Sequence, residues 1–218
     1  MVDLTVFFEN SPLDFRHKHE LLPEAPNACI LNTKFGNQLA DYINLNMDSG
    51  PWLAGGSVRK SYLGIDMGIS DWDIWFKDAD QFNRAEKLLK DLNASIAYTS
   101  NNAISFKYTE KDSSKEHHIQ IIKKRFYDNP HEIINNFDFS ICQLVTDGHS
   151  ILFGDNTARD LRTRTIRLVQ PTMPAYTVQR MIKYMVYGYR PDINLIRAIE
   201  QNKDQIDWSK STHDYDTV

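Results

Sequence analysis

The sequence predicts an α+β fold: a mixed β-sheet flanked by helices, with a short helical appendage at its C-terminal end. Three observations predict it. Helical and alternating apolar patterns follow one another in the order strand, helix, strand, helix, several strands, then helices. Hydrophobic residues make up 41% and charged residues 25%, the balance of an ordinary globular protein. At 218 residues the chain is long for one compact domain and short for two full ones, so we divide it into a principal domain over 1–170 and an appendage over 171–218.

The first thirty residues mix the apolar run Val6-Phe7-Phe8 with Pro12, Pro23 and Pro26, and read as an extended cover over the principal domain. From Thr33 to Asn46, Phe35, Leu39, Tyr42, Ile43 and Leu45 recur at helical spacing. Trp52-Leu53-Ala54 is a strand that ends in the turn Gly55-Gly56, and Ser57 is positioned to cap a short helix to Leu63, which Gly64 and Gly68 break. Asp71 to Phe76 alternates as a strand, and Ala79 to Leu92 has helical periodicity. Strands follow at about 94–99, 103–109 and 117–123. Pro130 opens a short helix, and two short strands, Cys142–Val145 and Ile151–Phe153, flank the turn Asp147-Gly148. Tyr176–Tyr189 and Ile193–Asn202 are helical, separated by a break at Gly188–Pro191.

Composition excludes several classes. No apolar run approaches the roughly 18 residues of a membrane span, and the amino terminus lacks the basic start and apolar core of a signal peptide. Cys29 and Cys142 are too few for a disulfide framework and form no zinc pattern, so a reducing cytoplasm is expected. The formal net charge of −4 argues against broad nucleic-acid binding. Charge is uneven, however: residues 159–190 hold Arg159, Arg162, Arg164, Arg167, Arg180, Lys183 and Arg190, with Asp160 the only acid. This stretch is either a solvated helical surface or a local phosphate-binding face.

The chemistry concentrates between residues 55 and 73. Alternation puts Asp71 and Asp73 on one face of their strand and Trp72 and Ile74 on the other. Paired carboxylates repel, and a divalent cation with a preference for oxygen ligands neutralises them, which points to Mg2+ or Mn2+. Gly55 and Gly56 let backbone approach an anion closely, Ser57 opens the following helix, and Arg59 adds a planar cation for phosphate. A phosphate turn followed by an acid pair suits nucleotidyl transfer to a hydroxyl. A dinucleotide-binding turn and a P-loop are both excluded, because neither G-x-G-x-x-G before a helix nor G-K-[ST] occurs.

Ala54-Gly55-Gly56-Ser57-Val58-Arg59, Leu63-Gly64 and Ser70-Asp71-Trp72-Asp73-Ile74 resemble the head of polymerase-beta-type nucleotidyltransferases. The resemblance is to the branch holding CCA-adding enzymes and bacterial poly(A) polymerases, with its G-G-x-V-R-D-x-L-L-G segment and D-x-D strand. It implies a nucleotidyltransferase-type sheet and a metal site at Asp71 and Asp73. Asp138-Phe139-Ser140-Ile141 is similar to the family's R-R-D-F-T-I-N motif, which implies a ribose contact for Asp138. Asp147-Gly148, Asp160-Leu161-Arg162 and Thr165–Val169 resemble the segments that follow it. Lys123-Lys124-Arg125 reads as a solvated strand end or, as the resemblance implies, places Arg125 where the basic residue closing the family's equivalent strand meets triphosphate.

The sequence also departs from the pattern. Lys60 stands where the family has an acid, Asn136-Phe137 replace two arginines, Cys142 replaces an asparagine, and Gln120 stands where some relatives carry a third carboxylate. Other residues read more plainly: His117-His118 as a surface strand without metal partners, Trp72 and Trp75 as core or lining, Cys142 as core.

The expectation is therefore a metal-dependent enzyme that takes an NTP substrate and transfers an NMP to a hydroxyl acceptor. RNA 3′ ends, tRNA among them, proteins and small molecules all qualify as acceptors. Only about thirty residues follow Arg190-Pro191, which is little room for an RNA-holding body. The alternative is a catalytically silent nucleotide- or protein-binding module of the same fold, a phage or mobile-element accessory protein.

Overall fold

The computed structural model describes residues 34–64, 71–110, 114–170 and 174–205. The expected N-terminal cover, Cys29 and the Gly68 break lie outside the described residues. Helix α1 (Lys34–Ile43) buries Phe35, Leu39, Ala40 and Ile43, the stripe its periodicity predicts. Strand β1 (Trp52–Ala54) is wholly buried and leads into α2 (Gly56–Tyr62). Ser57 does not cap that helix: Gly55 holds the cap position with φ +89°, and Ser57 falls in the first turn. The positive φ explains the difference, because only glycine enters that conformation without strain.

Strand β2 (Asp71–Trp75) precedes α3 (Ala79–Asp91), whose cap Asp78 accepts a 2.8 Å hydrogen bond from the Gln81 amide. Then come β3 (Ser95–Thr99), β4 (Ala103–Thr109), β5 (Glu116–Ile122) and α4 (Pro130–Ile134), capped by Asn129 with proline in its first turn. A 3₁₀ turn at Ser140–Cys142 precedes β6 (Leu144–Thr146) and β7 (Ile151–Phe153). The strand expected from Cys142 therefore starts two residues later.

Seven strands form one mixed sheet in the order β3-β4-β5-β2-β1-β6-β7. Every pair is antiparallel except β2 with β5. Trp72, Ile74, Ile119 and Ile121 are fully buried on one face of this centre, where Phe35 of α1 meets Trp72 edge-on. The opposite face carries Asp71, Asp73 and Gln120.

Three elements escape the sequence patterns. Helix α5 (Thr157–Thr163) offers little apolar periodicity, and β8 (Thr165–Ile166) pairs in parallel with β9 (Arg190–Pro191). The expected break at Gly188–Pro191 thus contains a short edge strand, where proline is tolerated. It separates α6 (Pro174–Val186) from α7 (Ile193–Gln201). The segment expected as an appendage shares the principal core: Met181, Tyr184, Met185, Tyr189 and Leu195 join it, and Tyr184 meets Phe139 edge-on at 5.9 Å.

Asp160 is fully buried and accepts from Ser140 Oγ at 2.7 Å and from Arg167 Nε at 2.9 Å. Arg167 also donates to Asp192, the cap of α7, at 2.9 Å. One guanidinium thereby ties α5, β8 and α7 together. Arg167→Ala strands a buried carboxylate, so we expect a loss of about 3 kcal/mol in urea unfolding. Arg167→Lys should recover only part of it, since an ammonium lacks the planar fork that spans both acids.

Candidate active site

Gly55 brings the turn against the acid pair. Ala54 pairs with Asp73 across β1 and β2, and a Cβ built on Gly55 would stand 3.1 Å from Asp73 Oδ2. Glycine is required here twice over, by φ and by that approach. Gly56 has nothing within 4 Å of the equivalent position, so its side is open. Ser57 is fully buried, and its Oγ has no hydrogen-bond partner among the described residues.

Asp71 and Asp73 share a face, as alternation predicts. Across the parallel pairing, Asp71 lies opposite His118 and Asp73 opposite Gln120. The Gln120 amide donates to Tyr98 Oη at 2.9 Å, so the position of a third carboxylate holds a neutral group engaged with β3. Burial pushes the Asp73 carboxyl well above the ordinary carboxylate range, and the Asp71 charge adds to the shift. Arg180 and Lys183 of α6 oppose it. Among the described residues, no three His, Cys, Asp or Glu side chains gather into a ready-made metal cluster.

Arg59 is buried and turned toward α6. Its guanidinium lies 4.6 Å from the centre of the Tyr184 ring, and Nη1 is 3.9 Å from Cys142 Sγ. Burial works against its charge, but Tyr184 and Cys142 outweigh burial and raise its pKa. Cys142 is buried, as expected, with Sγ 3.1 Å from Tyr184 Oη. Asp138 is fully buried, and its Oδ1 lies 3.3 Å from Arg180 Nη2. Burial raises its pKa against the opposing pull of Arg180.

Phe137 and Phe139 flank Asp138 on opposite sides. Phe137 faces Gly55 and Trp75, and Phe139 faces Tyr184. Trp75, third on the acid face of β2, is buried as a lining residue against Tyr127 and Phe137. Arg125 lies beyond Ile122, at the end of β5 away from His118. It pairs with Glu132 at 3.7 Å and covers the Tyr127 ring at 5.1 Å.

The structure therefore gathers Gly55, Asp71 and Asp73, directs Arg59 and Asp138 to α6, and leaves Arg125 at the far strand end. Sequence reasoning missed three neighbours of the acids. Arg180 and Lys183 stood inside the basic stretch, and their spacing of three on one helix was the available signal. His118 gave none, because its place beside Asp71 depends on the parallel pairing. The basic stretch is not one face: Arg159, Arg162 and Arg190 are exposed, Arg167 is tied into ion pairs, and Arg180 reaches Asp138.

The sheet order and the acid-bearing central strand define a fold similar to nucleotidyltransferase head domains. A CCA-adding enzyme with CTP matches with TM-score 0.58 and 17% identity over 78% of this chain and 42% of that one. A tRNA-processing enzyme matches with TM-score 0.56 and 13% identity over 79% and 46%. The Thermotoga maritima CCA-adding enzyme complexed with tRNA matches with TM-score 0.54 and 16% identity over 78% and 40%. The chain spans less than half the length of these enzymes. No curated protein matches it. Residues 29–164 match the model of the Gabija anti-defense 2 family, and the chain belongs to that family.

Gly55→Ala forces a side chain into the positive-φ turn and against Asp73, and we expect it to cost about 2 kcal/mol in thermal unfolding. Asp73 makes a second prediction. Its folded-state pKa is raised, so its stabilising protonation is complete at acid pH and is lost as pH rises through the folded value. In metal-free protein, Asp73→Asn should therefore raise Tm at neutral pH, with the advantage vanishing as pH falls into the ordinary carboxylate range.

Proposed function

We propose that the protein is a divalent-cation-dependent nucleotidyltransferase that transfers an NMP from an NTP to a hydroxyl acceptor. The observation that carries this reading is the half-buried Asp73 beside Asp71 on one strand face, with the glycine turn so close that a Cβ on Gly55 would stand 3.1 Å from Asp73 Oδ2. Two hard carboxylate oxygens on one strand face suit Mg2+ or Mn2+, and a dication relieves the repulsion that otherwise drives Asp73 toward its neutral form. Asp71 and Asp73 would hold it. When bound, it supplies charge neutralisation for the triphosphate and acidifies the attacking hydroxyl.

The chain's own groups supply the rest. Gly55 and Gly56 leave room for phosphate oxygens against the backbone. Ser57 Oγ is a buried donor without a partner among the described residues. Lys183 and Arg180 add positive potential opposite the acids. In the reaction, the acceptor oxygen bonds to the α-phosphorus, the bond to the β-phosphate oxygen breaks, pyrophosphate leaves and the hydroxyl proton passes to solvent. The acceptor classes remain an RNA 3′ end, a protein or a small molecule, and the CCA-adding relatives favour the first. On this reading the transfer serves the anti-defense role that the family's name carries.

A second reading, a silent nucleotide- or protein-binding module, is favoured by one observation. Arg59 and Asp138, at positions matching nucleotide contacts, are engaged by Tyr184, Cys142 and Arg180. Incubation with each labelled NTP, Mg2+ and a mixture of cellular RNA and protein separates the readings. Transfer should label an acceptor, and Asp71→Asn with Asp73→Asn should reduce labelling at least a thousandfold, the size of effect electrostatic groups have at active sites. Metal-independent NTP binding that survives both substitutions, without transfer, overturns the enzyme reading.

A further inference from the structure

The acid pair has a neighbour of unassigned role. His118 stands directly opposite Asp71 on β5, and Nδ1 lies 3.7 Å from Asp71 Oδ1. Its other nitrogen, Nε2, is 2.9 Å from Glu116 Oε1. Lys107 Nζ on β4 is in turn 3.2 Å from Glu116 Oε1. Lys107, Glu116, His118 and Asp71 thus form a line of alternating partners across β4, β5 and β2, on the acid face of the sheet.

The neighbouring residue fixes this line in place. His117 points to the opposite face, stacks on Phe35 with ring centres 3.7 Å apart and lies 2.9 Å from Glu110 Oε1. That anchorage holds the strand's alternation, so His118 faces Asp71. His118 and Lys107 also hold the Glu116 carboxyl below its usual range, which keeps it charged as the imidazole's anchor.

Such a line contributes little to fold stability, because Lys107 and Glu116 are both about half exposed, with side chains 42% and 47% accessible. Its consequence falls on Asp71. A carboxylate oriented by an anchored imidazole keeps its oxygens in one place, and outer groups of this kind typically change metal affinity by about 10- to 100-fold.

We propose that His118 is a positioning residue for the acid pair, anchored by Glu116 and holding the Asp71 carboxylate in the orientation that binds a divalent cation. The proposal rests on the reading of Asp71 and Asp73 as the cation site.

The test uses Mn2+ alone, titrated into the metal-free full chain and followed by the electron paramagnetic resonance of the free ion. His118→Ala should weaken Mn2+ binding about tenfold or more, with metal-free Tm unchanged. His118→Asn places an amide toward Asp71 and should restore most of the affinity. Glu116→Gln should weaken binding by a smaller factor. An affinity for His118→Ala within about twofold of the parent overturns the proposal. If the parent binds no Mn2+, or Asp71→Asn with Asp73→Asn binds as the parent does, the cation-site reading fails and this proposal with it. If only the acid substitutions abolish binding, the site reading stands and the role of His118 alone is lost.

Discussion

The rest of the molecule is arranged around two half-buried carboxylates on one face of a central strand. Strand β2 lies between β5 and β1, so Asp73 is flanked by Gln120 on one side and Ala54 on the other. The opposite face of β2 presents Trp72 and Ile74 to the core, which fixes the strand's register: a slip by one residue would bury the acids and expose a tryptophan. Hydrophobic burial therefore sets the direction of the carboxylates, and Gly55 allows the chain to pass close to them. The Asp73 carboxyl is less stable ionised than in water, and on the proposed reading a cation relieves the repulsion between the two acids.

Helix α6 extends this logic. Its inward face carries Arg180 and Tyr184, and the network they form joins α2 through Arg59, the 3₁₀ turn through Cys142 and the segment just before that turn through Asp138. Arg180 pairs with the buried Asp138 carboxylate, while the buried Arg59 guanidinium meets the Tyr184 ring and the Cys142 thiol. Breaking such a network leaves uncompensated charge in the interior, which ties α6 to the sheet. Helix α6 is thus structurally continuous with the acid-bearing sheet.

Most of the architecture was legible in the sequence because it follows from periodicity and turn residues. Alternation gave β2 and its two faces, and Pro130 marked the start of α4. Gly55 and the acid pair were visible for the same local reason. Helix α5 was not, because Asp160, Thr157 and Leu161 are buried together and two of them are polar, which blurs any apolar stripe. The β8–β9 pairing joins residues some 25 positions apart and leaves no local trace. His118 illustrates the same limit at the site: its neighbour on the sheet is set by a parallel crossover, and no spacing within β5 encodes it.

The departures from the nucleotidyltransferase pattern acquire a physical meaning when charge is followed through the site. Where the nucleotidyltransferase motif that this segment resembles has two arginines before its aspartate, this chain has Asn136, bonded to Tyr127 Oη, and Phe137, packed toward Gly55 and Trp75. Loss of those cations would leave Asp138 buried without a counter-charge, and Arg180 from α6 supplies one. Cys142, in place of asparagine, gives Arg59 and Arg180 a soft neighbour at 3.9 Å while removing a side chain that would compete for their donors. The positive charge of Arg59 and Arg180 is drawn toward the helix-sheet junction. The exposed Lys183 is left opposite a pair of acids. On the proposed reading, this imbalance makes a bound dication the main source of positive charge for a triphosphate, and it places the discriminating contacts of the site on Asp71, Asp73 and the groups that orient them.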